Sequence, residues 1–299
     1  VSSAASDVYK RQVEWCLEYC RRQLTPDGVV ASDTDELEGR FPTGDANLCT
    51  STLYYDALLS AVSLGRELGV ESAQTARYAA QARALARAID AYFGGEVGGY
   101  DTYRYYAGNT LLRSWICMPL IVGLKERSEG TVRALLGPEL MTDDGLLTQQ
   151  GSSTFWDRST LYALRGIYNV GQADRATELL HRYSQRRLLG DHVPYPIEAW
   201  PEGSQRHLSA ESGLYCRIIT EGLFGIRPTG LRSFDLTPSM PAAWESMSLR
   251  HIRAFGSDFD ITVARVADGR LRITVARPGA KPKIYRAAPG ATIRVKLTD

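Results

Sequence analysis

The hydrophobic pattern of this 299-residue chain changes period once, close to Gly225. Before that point apolar residues recur at three- and four-residue spacing, the signature of helices with one buried face. After it, FDITVARV, LRITVAR and ATIRVKL alternate apolar and polar residues between Gly, Pro and Asp turns, the signature of half-buried strands. A chain patterned this way buries helix against helix first and sheet against sheet second. The expected fold class is therefore mainly α with a C-terminal β-domain.

In the helical part, Val13 to Leu24 is expected to be a helix that stops at Thr25-Pro26-Asp27-Gly28. Thr52 to Leu68 follows, with Leu58, Ala61, Val62 and Leu68 inward. Ser72 to Phe93 comes next, with Tyr78, Leu85, Ile89 and Tyr92 inward. GGEVGGYDTYRYYAGN reads as a glycine-rich loop, and Leu111 to Lys125 as a buried helix bent at Pro119. Arg158–Val170 ends at Gly171, Asp174–Leu189 places Ala176, Leu179, Leu180 and Tyr183 inward, and Ser209 opens a helix to about Phe224. About seven helices are expected, joined to the strands by Gly225–Gly230.

Composition narrows the function classes. Thirty-five basic residues against 34 acidic ones, with no basic block, point to neither nucleic acid nor a membrane surface as partner. The five cysteines lack CxxC spacing and are expected to be buried free thiols. His192 and His207 lack metal-ligand spacing, so neither a metal nor a cofactor is expected. VSSAASDVYKRQ has no charged n-region and no apolar h-region. Residues 1–12 look like non-native read-through, and localisation is not legible.

Chemistry concentrates between His192 and Arg217, HVPYPIEAWPEGSQRHLSAESGLYCR. Carboxylates there stand beside flat aromatic rings. Carboxylates move protons or activate water, and aromatic faces stack on the apolar face of a pyranose, so a carbohydrate is the expected partner.

Several segments together resemble the six-hairpin (α/α)6-barrel glycosidases, closest to the α-L-rhamnosidases of glycoside hydrolase family 78. They are LYYDALLSAVSLGRELGV, LLTQQGSSTFWDRSTLYALRGIYNVGQADRATELL, HVPYPIEAWPEG and GLFGIRPTGLRSFDLTPSMP, and the resemblance covers roughly residues 50–260. It implies a partial (α/α)6 toroid over residues 13–230 and a small antiparallel β-sandwich over 231–299. It further implies an inverting glycosidase acting on an α-L-rhamnoside-like or other α-linked sugar, with the Glu-x-Trp of Glu198–Trp200 at the general-base position. The chain departs from the family where Pro194-Tyr195-Pro196 replaces its threonines and HLSAESG replaces its Asn-His element. The family's general acid lies upstream of the helix corresponding to Val13–Leu24. The resemblance thus implies an N-terminally truncated piece, inactive alone, whose missing N-terminal part is its partner. Glu38 or Asp45 is the substitute acid.

Each candidate also has a plain structural alternative. Glu198, the expected base, could instead pair with Arg206; Glu211, the second catalytic candidate, could simply favour a helix N-terminus. Trp156, Asp157 and Arg158 are candidates for stacking and hydroxyl binding, or else a core tryptophan and a helix cap. Trp200, Glu202, Arg206, His207 and Tyr105 complete the candidate substrate-binding set. A non-catalytic carbohydrate-binding relative on the same fold is the alternative function.

Overall fold

The computed structural model describes residues 3–35, 40–154, 156–189, 195–198 and 209–297. The chain divides into two compact units, residues 1–142 with 146–153, and residues 143–145 with 154–299.

The first unit opens with α1 (Ser3–Arg22), which runs through residues 3–12 without a break, and continues with α2 (Leu48–Glu67) and α3 (Ser72–Phe93). Asn47 caps α2 by accepting the Thr50 N–H at 2.8 Å. Leu58 and Val62 of α2 and Ala82, Leu85, Ile89 and Phe93 of α3 are buried, and the two helices pack together. Leu68, expected inward, is 57% exposed, because it is the C-cap and lies past the last buried turn. Tyr78 and Tyr92 are half-buried, so Ala82 and Phe93 carry the face that they were expected to complete.

The stretch read as a glycine-rich loop is instead a hairpin, β1 (Gly94–Val97) with β2 (Tyr100–Tyr103), in register from Gly94↔Tyr103 to Val97↔Tyr100. Its two-residue turn, Gly98-Gly99, needs positive φ twice (60° and 83°), which only glycine adopts cheaply. Leu111 to Lys125 is not one bent helix. A 3-10 turn at Ser114–Cys117 runs into the one-turn α4 (Met118–Ile121), with Pro119 in its first turn, and Gly123 ends it at φ 85°. The burial expectation holds there: Trp115, Ile116, Cys117, Met118 and Leu120 are all buried. One further helix, α5 (Ser128–Leu135), was not read from the sequence; it packs on β2, with Thr102 and Thr131 sharing a buried hydroxyl contact of 2.8 Å. Two two-residue strands, β3 (Met141–Thr142) and β4 (Gly145–Leu146), follow.

The second unit contains α6 (Asp157–Asn169), α7 (Ala173–Tyr183), a π-helical turn at Ser184–Leu188, and α8 (Ser209–Arg217), which passes into a second π-helical turn at Ile218–Leu223. Gly171, at φ 81°, ends α6 as expected. Seven antiparallel strands follow: β5 (Ile226–Gly230), β6 (Ser233–Leu236), β7 (Ser246–Ala254), β8 (Ser257–Arg265), β9 (Leu271–Ala276), β10 (Lys283–Ala287) and β11 (Ile293–Lys296). They form a four-stranded sheet, β10-β9-β8-β7, and a three-stranded sheet, β11-β6-β5, so the segment expected to link helices and strands is itself a strand. The period-2 pattern places Phe259, Ile261, Val263, Leu271, Ile273 and Val275 inside. Phe234 of the small sheet stacks on Phe259 of the large one at 5.5 Å between ring centroids, which closes the sandwich. None of the five cysteines is in a disulfide; Cys49 and Cys117 are buried as expected, but Cys20 is half-buried and Cys16 and Cys216 are exposed. Among the described residues no helix is long and apolar enough to cross a membrane.

Candidate functional site

In the second unit, the N-terminus of α6 gathers most of the described candidates. Asp157 is the first residue of α6 and is almost wholly buried. Its Oδ2 accepts the Ile197 backbone N–H at 2.6 Å, and its Oδ1 lies 3.1 Å from Nη2 of the equally buried Arg187. Arg187 in turn donates to the Asp144 carbonyl at 2.7 Å. Tyr183 completes this group, with the Arg187 guanidinium 5.9 Å from its ring centroid. Burial, and then the Asp157 charge, pushes the Tyr183 hydroxyl well above its ordinary range. The consequence reaches Glu198. The peptide that precedes it is pinned to the start of a helix, while Glu198 itself is half-buried and engaged by neighbours.

The next residue of α6 reaches the other glutamate. Arg158 Nε donates to Glu211 Oε1 at 2.8 Å, and Glu211, in the first turn of α8, is 0% exposed. The other oxygen, Oε2, is buried and without a hydrogen-bond partner among the described residues. The Arg158 guanidinium also lies 5.7 Å from the Trp156 ring centroid. Two consecutive residues, Asp157 and Arg158, thus tether the segment of Glu198 and the carboxylate of Glu211.

Two sequence expectations are corrected here. Trp156 is 1% exposed, so its face is not a sugar-stacking surface; the α6 N-terminus carries it into the core. Asp157 likewise turns its oxygens inward to Ile197 and Arg187, so they do not face outward to grip a hydroxyl. Trp200, Glu202, Arg206 and His207 lie outside the described residues, as does the substitute acid Glu38.

Tyr105 belongs to the first unit and is 0% exposed, so the expectation that it lines a sugar site is corrected to a packed core tyrosine. Its backbone carbonyl accepts the Leu48 N–H at 2.9 Å, and its hydroxyl donates to Asp35 Oδ2 at 2.6 Å. Burial raises its pKa far above that of a free phenol. The Arg113 guanidinium lies over its ring at 4.8 Å. Sequence reading missed both Arg113 and Arg187. Neither stands in a motif, and RSWICMPL and SQRRLL give no local sign that an arginine is buried.

No protein-family model matches the chain, and no curated protein does. Solved structures do. A sialidase structure aligns over 95% of this chain with a TM-score of 0.66 and 16% identity. The GH78 family rhamnosidase of Bacillus sp. GL1 aligns over 92% with a TM-score of 0.55 and 14% identity. The chain spans 30% and 29% of the length of those two chains. The likeness shows the fold: a mainly helical chain, part of an (α/α)6 toroid, followed by an antiparallel β-sandwich.

Proposed function

We propose that this chain supplies the base side of a glycosidase active site, with Glu198 as the general base. The observation that carries the reading is the Asp157–Ile197 hydrogen bond. It fixes the backbone beside a half-buried glutamate, as a base must be fixed to hold a water against a sugar carbon. The likeness in fold to a sialidase and a rhamnosidase supports the same reaction class. In the inverting form, Glu198 deprotonates water on the face opposite the leaving group, while an acid roughly 6.5–9.5 Å away protonates the leaving oxygen. Glu211, 0% exposed and held by Arg158, ties the start of α8 to that of α6 and does not itself reach the substrate. The substrate is a terminal α-linked sugar of the rhamnoside kind, on an oligosaccharide or glycoconjugate.

The test is Glu198→Gln in a protein carrying the whole toroid, assayed on aryl α-glycosides with anomeric products read by NMR. Loss of turnover of about a thousandfold with sugar binding retained is the expected result. Turnover unchanged in that variant overturns the base assignment, and binding without turnover in the unmutated protein points to a carbohydrate-binding relative.

A further inference from the structure

The large sheet of the second unit carries charges that the reading above does not use. Leu271, Ile273 and Val275 of β9 and Ala287 of β10 are buried inside the sandwich. Alternation therefore places Arg272 and Arg286 on the outer face, and both are exposed. The register sets Arg286 directly opposite Arg272. Partners of this kind hold their Cβ atoms about 4.5–5.5 Å apart, and like charges there repel. Neither guanidinium has a hydrogen-bond or ion-pair partner among the described residues. The carboxylates of the same face are engaged elsewhere. Asp258 faces Arg253 at 3.7 Å, and Asp260 accepts the His251 N–H at 2.8 Å. Asp260 also pairs with Ala276, four residues or about 13 Å along β9 from Arg272. In the turn before β9, Asp268 accepts the backbone N–H of Arg270, a third exposed arginine, at 3.0 Å.

Beside the two arginines the sheet is small and hydroxylic. Their row continues through Ala264 to Ser246, and the next row sets Thr262 opposite Thr274. Such short side chains leave room for an extended polymer lying across the strands. The parallel N–H groups of each guanidinium match the two oxygens of a carboxylate, and the hydroxyls match sugar oxygens. A polymer with a carboxylate on each unit would also relieve the repulsion between the two cations. We propose that this outer face, at Arg272 and Arg286, binds a polyuronate chain, a glycan with one carboxylate per sugar. The choice of a glycan among polyanions rests on the glycosidase reading above, whereas the choice of an anion rests on the two arginines alone.

Calorimetric titration of the 299-residue chain with polygalacturonate, neutral dextran and duplex DNA tests it. Polygalacturonate is expected to bind about tenfold or more tighter than either of the others, through bidentate charged contacts, and to weaken as salt is raised. Replacing both arginines, Arg272→Gln with Arg286→Gln, is expected to remove that preference. Arg83→Gln with Arg87→Gln takes the same charge from two exposed arginines one turn apart on α3, and is expected to leave it intact. Glu198→Gln is expected to leave it intact too, so hydrolysis and polyuronate binding can fail separately. Polygalacturonate held no better than dextran, DNA held as tightly, a preference that survives loss of Arg272 and Arg286, or an equal loss in the Arg83 and Arg87 variant would each overturn the proposal.

Discussion

Asp157 and Ile197, 40 residues apart in the chain, are joined by a 2.6 Å hydrogen bond from the Ile197 N–H to Asp157 Oδ2. One helix terminus thereby sets the position of the peptide before Glu198. Because Asp157 also faces the buried Arg187, the bond is part of a charge pair and not a lone cap.

Removing that carboxylate strands a buried guanidinium. Asp157→Ala is expected to cost about 3–5 kcal/mol, the range for breaking a buried ion pair from one side. Asp157→Asn keeps an acceptor for Ile197 and is expected to cost less. Urea denaturation midpoints measure both, and an Asp157→Ala midpoint equal to the parent's would show that the pair contributes nothing.

The Arg158–Glu211 pair behaves differently because its two partners differ in burial, with the arginine side chain 21% exposed and the glutamate 0%. Arg158→Met leaves a buried carboxylate without its cation and is expected to destabilise more than Glu211→Gln, whose cost is about 1.5–3 kcal/mol for a lost charged hydrogen bond. A double-mutant cycle on the two positions is expected to give a coupling of about 1 kcal/mol or more. Simple additivity would mean that they do not interact.

Two glycines make opposite tests of the packing. A Cβ on Gly130 would lie 1.9 Å from the Asp101 carbonyl oxygen, so Gly130→Ala must push α5 off β2, at about 1–3 kcal/mol or more. Gly213, inside α8, has nothing within 4 Å of the same atom, and Gly213→Ala is expected to stabilise by about 0.4–1 kcal/mol by restricting the unfolded chain. Thermal melts of the two single variants should move in opposite directions.

Burial pushes the Tyr54 hydroxyl up to about 12 from an ordinary 10.0, and that hydroxyl donates to the Leu17 carbonyl at 3.2 Å. The folded state therefore holds this proton more tightly than the unfolded state. Its contribution to stability is whole below pH 10 and is lost as the pH rises towards 12. Absorbance titration at 295 nm is expected to show a late-ionising tyrosine that Tyr54→Phe removes. An unchanged titration curve in that variant would contradict the assignment.

Much of the architecture was legible before any coordinates, because the cues for it are local. The change of period near Gly225, the Thr25-Pro26-Asp27-Gly28 stop and Gly171 each act over a few residues, and each marks an element boundary that the structure shows. Val97-Gly98-Gly99-Tyr100 was also readable as a two-residue hairpin turn, but its glycine density made it look like a loop. In the candidate site the residue types were legible and their roles were not. Trp156 beside Asp157 and Arg158 has the composition of a binding surface, yet the ring is buried and the two charges face Ile197, Arg187 and Glu211. Arg113 gave no sign at all, since its rings and Gln149 arrive from three other stretches of chain. The sequence alone determined which segments coil, which extend and where they stop, because those preferences are settled by near neighbours along the backbone. Which side of each charged residue meets water was decided only by the tertiary structure, because burial and pairing depend on groups brought together from 30 or more residues away.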